Sequence, residues 1–293
     1  MKPIIALMTD FGSADTFVGV MKGVILSIEP ECQLIDLTHE LPPGDIKRGA
    51  IFLWQSQDYF PPGTIFLCVV DPGVGTTRNA VIVQTQRHFY IGPDNGLFSF
   101  VCGKNYQARR ISNPSIWQPN LSSTNLSSTF HGRDIFAPAA GYLAKGMPLT
   151  NFGELIDSIE LIPPPLLEHK NPYELRGEIL FADHFGNLFT SLGIFYRLED
   201  DRYQVEPIMG SEVLNMVFTN LDLAKSSMIL PSGQSLKPVN TFADLLPGEC
   251  GFLIGSSGFI EIVSFQVSAK ELLELQEGSE VRLILENNAW KNL

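Results

Sequence analysis

Asp71 closes a near-continuous apolar, β-rich run, Thr64-Ile65-Phe66-Leu67-Cys68-Val69-Val70, and Pro72-Gly73-Val74-Gly75 follows it at once. Asp10 repeats the arrangement after Met8-Thr9 and before Phe11-Gly12. Open α/β sheets bind ligands just outside the carboxyl ends of their strands, and glycine lets a ligand approach the main chain. Two carboxylates so placed suit a hydroxylated or cationic small molecule, although Asp beside Pro or Gly also makes plain turns. Arg78 stands on the far side of the same glycine-rich loop. His131 stands far off in sequence, within Phe130-His131-Gly132-Arg133-Asp134. If Asp71, Arg78 and His131 meet, they could hold one water at a fixed position. A lone His before Gly equally suits a capping or turn role.

Two further groups carry polar chemistry. Asp183-His184-Phe185-Gly186-Asn187 can turn so that Asp183 and Asn187 point the same way. Asn offers donors and acceptors together and suits an amino-acid or amide ligand, while a plain hairpin turn competes with this reading. Gly255-Ser256-Ser257-Gly258 leads into an alternating run, Phe259-Ile260-Glu261-Ile262. Backbone N–H groups there could take the edge of a purine, or simply shape a bend. No P-loop, metal or dinucleotide motif is present, since Gly73-Val74-Gly75 lacks a third glycine and a helix after it.

The elements that must position these residues change character along the chain. The first half alternates. Strands are predicted at Pro3–Met8, Gln33–Leu37 and Thr64–Val70, with shorter ones at Ala80–Val83 and His88–Ile91. Asp15 is expected to cap a helix with an apolar face of Val18, Met21, Val24, Ile25 and Ile28. Asp45 is expected to cap a second, with Ile46, Gly49, Ala50, Leu53, Trp54 and Tyr59 near one face. Such alternation implies a mostly parallel sheet with helices on its faces. Residues 111–129 read as a long irregular loop, and a helix follows from Phe130 through Leu143. Pro163-Pro164-Pro165 and the polar stretch to Tyr173 read as a linker. Beyond it, short strands are expected at Glu178–Phe181, Tyr203–Pro207, Val213–Thr219, Ser227–Leu230, Gly251–Ile254, Phe259–Phe265 and Glu280–Glu286. The fold class is therefore α/β. An N-terminal α/β domain spans 1–162, a linker 163–173, and a smaller antiparallel, barrel-like β domain 174–293.

Composition narrows the function classes. The chain has 293 residues, 44% of them hydrophobic, enough for a sizeable core. Its net charge of -12 repels nucleic acid and anionic membranes and tolerates a cationic metabolite. Cys32, Cys68, Cys102 and Cys250 show no metal-ligand spacing and predict buried, reduced thiols and a cytoplasmic location. No charged leader with an apolar core precedes the first strand, and no apolar run is long enough to span a bilayer.

These segments, taken in order, resemble one family: the S-adenosyl-L-methionine (SAM) hydrolases (adenosyl-forming), also called SAM hydroxide adenosyltransferases, relatives of fluorinase and chlorinase. The matching stretches are Thr9-Asp10-Phe11-Gly12 with Val18 to Gly23, Ile35 to His39, Val70 to Thr76 with Arg78, and Gly92 to Gly96. Thr129 to Asp134, Asp183 to Asn187 and Ser256 to Ile262 complete the set. The resemblance implies hydrolysis of SAM to adenosine and L-methionine, with Asp71, Arg78 and His131 positioning the attacking water and no cofactor or metal. It implies ribose contacts from Asp10 or Asp15 and methionine contacts from Asp183 and Asn187. Adenine contacts fall to Ser256 and its neighbours, and Phe130, Asp71 and Glu261 count among the substrate-binding residues. It also implies a homotrimer with sites between subunits. Halogenating relatives look different at these positions, with the Asp and the His replaced, so the resemblance implies that retention of all three favours water over halide. A halide-dependent adenosyltransferase and a non-enzymatic adenosine or SAM binder are the alternatives. Ser264-Phe265-Gln266 and the long 111–129 loop depart from the family pattern, which bears on the adenine contacts more than on the chemistry.

Overall fold

The computed structural model describes residues 2–103, 105–117, 127–171, 173–197, 203–206 and 223–285. The chain divides into two compact units, Met1–Ile162 and Pro163–Leu293.

The first unit contains β1 (Ile4–Thr9), α1 (Phe17–Ile28), β2 (Gln33–Thr38), α2 (Ile46–Gln57), β3 (Ile65–Val69), β4 (Ala80–Gln84), β5 (Phe89–Pro93), β6 (Gln107–Arg110), α3 (Ala137–Ala144) and β7 (Leu155–Ile156). The sheet runs β2-β1-β3-β5-β4-β6-β7. Strands β2, β1, β3 and β5 are parallel, and β4, β6 and β7 extend the sheet by antiparallel pairs. The β1 and β3 runs are apolar throughout because both faces of the sheet are covered. Ile5 and Leu7 pack with Met21 and Ile25 of α1 and with α3, whereas Ala6 and Met8 pack with Leu53 of α2. In register, Thr9 lies beside Val69, so Asp10 and Asp71 leave neighbouring strands at the same edge of the sheet.

Local details depart from expectation in three places. Thr16, not Asp15, stands at the cap of α1, and it makes no side-chain capping bond. Asp45 does cap α2, accepting from the Arg48 amide at 2.9 Å, but Tyr59 is 82% exposed and off the apolar face. The helix after His131 opens as a turn of π-helix, Gly132–Phe136, before α3. Pro138, in the first turn of α3, lacks the N–H that an α-turn would use there.

The second unit contains β8 (Leu167–Asn171), β9 (Glu174–Ala182), β10 (Leu188–Arg197), β11 (Tyr203–Glu206), β12 (Ser227–Ile229), β13 (Ser235–Leu236), β14 (Cys250–Ile254), β15 (Phe259–Ser264), α4 (Ala269–Leu273) and β16 (Glu280–Ile284). They form an antiparallel sheet in the order β13-β12-β16-β9-β10-β15-β14, and a Pro238–Phe252 bridge nearly closes it into a barrel. The stretch expected as a linker contributes β8, paired with β9. The longest described strand, β10, lies where the sequence pattern predicts none. Its Gly193 has φ +107°, and a Cβ there would lie 2.6 Å from Val205, so the glycine admits a close neighbour where the pattern reads as a break. The expected strand Val213–Thr219 lies outside the described residues, as do Pro207 and Glu286. Among the described residues no helix is long and apolar enough to cross a membrane. The four cysteines are unpaired; Cys32, Cys68 and Cys102 are buried, and Cys250 is partly so.

Candidate active site

Asp71, Arg78 and His131 converge. Arg78 grips Asp71 with two bonds, Nε to Oδ1 at 2.8 Å and Nη2 to Oδ2. The same Nη2 lies 2.8 Å from Nδ1 of His131. The Asp71 and Arg78 side chains are 4% and 9% exposed, and the guanidinium stacks 5.2 Å from the Phe136 ring centre. A paired, planar Arg fork of this sort fixes geometry as well as charge.

The surrounding turns hold this group in place. Asn95 donates to the Val70 carbonyl at 2.9 Å, directly before Asp71. The Asn79 carbonyl accepts from Arg78 Nη1 at 3.2 Å and from the Asp94 amide at 3.0 Å. The turn at residues 92–96 therefore braces both members of the ion pair. Gly75 has φ +77°, and a Cβ on it would come within 2.4 Å of the Ser128 carbonyl. Only glycine lets the loop before His131 pass the loop after Asp71. Asp134, fully buried, anchors that loop by accepting from the Ser127 amide at 2.8 Å and from Arg133.

The hydrogen bonds fix the tautomer of His131. A guanidinium has no acceptor, so Nδ1 must accept from Arg78, and the neutral ring carries its proton on Nε2. Burial and the neighbouring Arg78 charge push the His131 pKa down, against the pull of Asp71 and Asp134. His131 thus offers an N–H to a water oxygen, while Asp71 offers carboxylate lone pairs.

The other first-unit residues lie around this edge. Asp10 accepts from the Gly44 amide at 2.8 Å, and a Cβ on Gly44 would touch Pro72 at 3.5 Å, which places Asp10 by the Asp71 loop. Phe130 meets Phe17 and Phe11 edge-on, with ring centres 5.2 and 6.1 Å away. Asp15 is exposed and lines a cavity of about 530 Å³ with Ser13, Thr16, Lys22, Asp36 and His39. A chain of contacts there had no assigned role: Thr9 to His39 at 2.9 Å, His39 to Asp36 at 3.1 Å, and Asp36 to Lys22 at 2.6 Å. Burial works to raise the Asp36 pKa, but the bonds from Lys22 and His39 outweigh it and hold it low. The His39 carbonyl also accepts from Gly12 at 2.7 Å, tying down the Asp10 loop. The signal was present in Asp36, within β2, and in His39, which follows β2 as Asp10 follows β1.

In the second unit, Asp183 organises its own turn. Its Oδ1 accepts from the Phe185 and Asn187 amides at 2.9 and 2.8 Å, and Oδ2 accepts from Asn187 Nδ2 at 2.9 Å. Glu261 on β15 is 7% exposed; burial, then the Asp183 charge, raises its pKa to about 7. Ser256 is exposed in the turn between β14 and β15.

Residues 5–153 match the SAM hydroxide adenosyltransferase N-terminal domain, and residues 177–282 match the C-terminal domain. The chain belongs to the SAM hydroxide adenosyltransferase family. It is 34% identical over 288 residues to the (R)-S-adenosyl-L-methionine hydrolase of Thermus thermophilus, covering 97% of this chain and 100% of that one. It is 34% identical over 286 residues to the (R)-S-adenosyl-L-methionine hydrolase of Salinispora tropica, covering 96% and 97%. A fluorinase of Actinopolyspora mzabensis is more distant, at 26% identity over 316 residues, covering 96% and 97%. Among solved structures, a conserved protein of Thermotoga maritima superposes with a TM-score of 0.77 at 32% identity, covering 96% of this chain and 99% of that one.

Proposed function

We propose that this protein hydrolyses S-adenosyl-L-methionine to adenosine and L-methionine by attack of water on the ribose C5′ carbon. The convergence of Asp71, Arg78 and His131, in a chain of this family, carries the reading. Sulfonium is already a good leaving group, so no acid need protonate it. The water oxygen bonds to C5′ as the C5′–S bond breaks, and that electron pair passes to sulfur and cancels its charge. Alignment of water, carbon and sulfur is the main demand, and such positioning can supply roughly 7–11 kcal/mol. His131 holds the water through Nε2–H. Because its Nδ1 is occupied by Arg78, Asp71 is the proton acceptor. Free water has a pKa near ~15.7, so the proton moves late, once the new bond has made the oxygen acidic. Arg78 fixes both partners and takes no proton.

Asp10 and Asp15 are assigned to the ribose hydroxyls, and Phe130 to the wall beside the nucleophile. Asp183, Asn187, Ser256 and Glu261 are assigned to the methionine and adenine ends. We further assign the protein to the cytoplasm, on its unpaired cysteines, and to a homotrimer with shared sites, on the family resemblance. The test is product analysis by chromatography after incubation with SAM, with and without chloride or fluoride. Adenosine and methionine in equal amounts, independent of halide, are expected. A 5′-halo-5′-deoxyadenosine product would select the halide-dependent reading. Tight binding without turnover would select a binding protein.

A further inference from the structure

The loop that carries Asp10 is gripped from the end of β2. Thr9 and His39 are both buried, at 0% and 9% exposure, and Thr9 Oγ1 lies 2.9 Å from His39 Nδ1. The same Thr9 oxygen accepts from the Phe11 amide at 3.3 Å. The His39 carbonyl accepts from the Gly12 amide at 2.7 Å. Further along the same stretch, the Gly44 amide donates to Asp10 Oδ2 at 2.8 Å. The residues on both sides of Asp10, and its own carboxylate, are thus held by one segment, 39–44.

The His39 ring is itself aimed. Its Nε2 lies 3.1 Å from Asp36 Oδ1, and Asp36 Oδ2 lies 2.6 Å from Nζ of Lys22 on α1. In a regular strand, residues three apart face opposite ways. Here the pairing slips, with Leu7 opposite Asp36 but Met8 opposite Thr38, and the extra residue in β2 lets Asp36 and His39 meet. Ion-paired to Lys22, Asp36 only accepts, so Nε2 of the ring carries the proton between them. Nδ1 of a neutral ring then accepts from the Thr9 hydroxyl, and the Thr9 oxygen keeps a lone pair for the Phe11 amide. A ring turned over would set carbon atoms against Thr9 and Asp36.

We propose that His39 is a positioning residue: its ring, aimed by Asp36, fixes the direction of the Asp10 carboxylate toward the ribose hydroxyls of the ligand. The ribose part rests on the hydrolase reading above; the hold on the Asp10 loop does not. Asp10 Oδ2 is committed to Gly44, which leaves Oδ1 to accept from a hydroxyl. Direction matters there, because a hydrogen bond weakens steeply once its angle falls below about 120°. Gly12 has φ +71°, so the chain turns sharply just past Asp10. Slack at Thr9 or Gly12 therefore reaches the Asp10 carboxylate with little chain between to absorb it.

The test is calorimetric titration of the full chain with adenosine and with 2′,3′-dideoxyadenosine, which lacks both hydroxyls. A contact to a charged acceptor predicts a roughly ten- to hundredfold preference of the wild type for adenosine. His39→Ala should lower that preference by at least about fivefold, and adding it to Asp10→Ala should bring no further loss. Thr9→Val, which keeps the shape and loses the hydroxyl, should act like His39→Ala. His39→Asn, whose amide can stand where Nδ1 stands, should recover most of the preference, whereas His39→Gln should not. A merely structural role would weaken both nucleosides alike and leave their ratio unchanged. That result in folded variants, or equal binding of the two nucleosides by the wild type, would overturn the assignment. Should His39→Ala not fold, Thr9→Val and the Asn and Gln variants decide it. Hydrogen exchange of the peptide holding Phe11 and Gly12 reads the grip without any ligand. It should quicken in Thr9→Val and return toward the wild-type rate in His39→Asn, and unchanged exchange in Thr9→Val would equally overturn the grip. Product analysis with SAM tests the hydrolase reading separately, so the two can fail independently.

Discussion

Replacing Arg78 by Met removes the partner of a carboxylate that is only 4% exposed. Breaking one half of a buried pair strands the other charge, at a cost of about 3–5 kcal/mol, because desolvation remains without compensation. Arg78 also donates to His131 and to the Asn79 carbonyl, so Met deletes four hydrogen bonds in all. The burial sets the upper part of that range for Arg78→Met alone. The double variant Asp71→Asn with Arg78→Met removes both charges of the pair and should be more stable than Arg78→Met by at least about 1 kcal/mol. Urea unfolding of wild type, both single variants and the double variant gives the coupling. Turnover separates stability from chemistry: every variant should lose at least about 100-fold in kcat, since a misplaced nucleophile costs that much. The recovery in stability brings no recovery in rate. A single-variant cost below about 1 kcal/mol, or a double variant less stable than Arg78→Met, would refute the claim of a desolvated pair. A variant with wild-type kcat would refute the positioning role.

Two further outcomes are expected. Gly75→Ala combines a left-handed backbone with a 2.4 Å approach to the Ser128 carbonyl; it should destabilise the protein by about 1–3 kcal/mol and lower kcat by moving His131. Ala at the exposed Gly103, also left-handed at φ +54° but with open space around it, serves as the comparison, and equal losses of kcat in both would sink the steric argument. His131 is held below its ordinary pKa, so kcat should stay flat from pH 8 through about 6.5 and fall only at more acidic pH. Its stability contribution has the same sign: the unfolded ring protonates first, so stability is lost as pH falls from about 6.5 and levels off below the folded value. A pH–rate profile with an acid limb centred above 6.5 would contradict this.

The sequence determined the elements whose signals are local. A strand buried on both faces must be apolar throughout, so β1 and β3 were readable, as were the carboxylates at their ends and the Asp45 cap. The family motifs were legible because each is a short run of special residues in fixed order. What was hidden depended on neighbours distant in the chain. β10 was missed because Gly193 reads as a break until Val205 is packed against it, and the expected linker became a strand because β9 offered it a free edge. Only the fold brought Arg78 to His131 across 53 residues, and that contact puts the ring proton on Nε2, because which groups touch is set by packing and not by order along the chain.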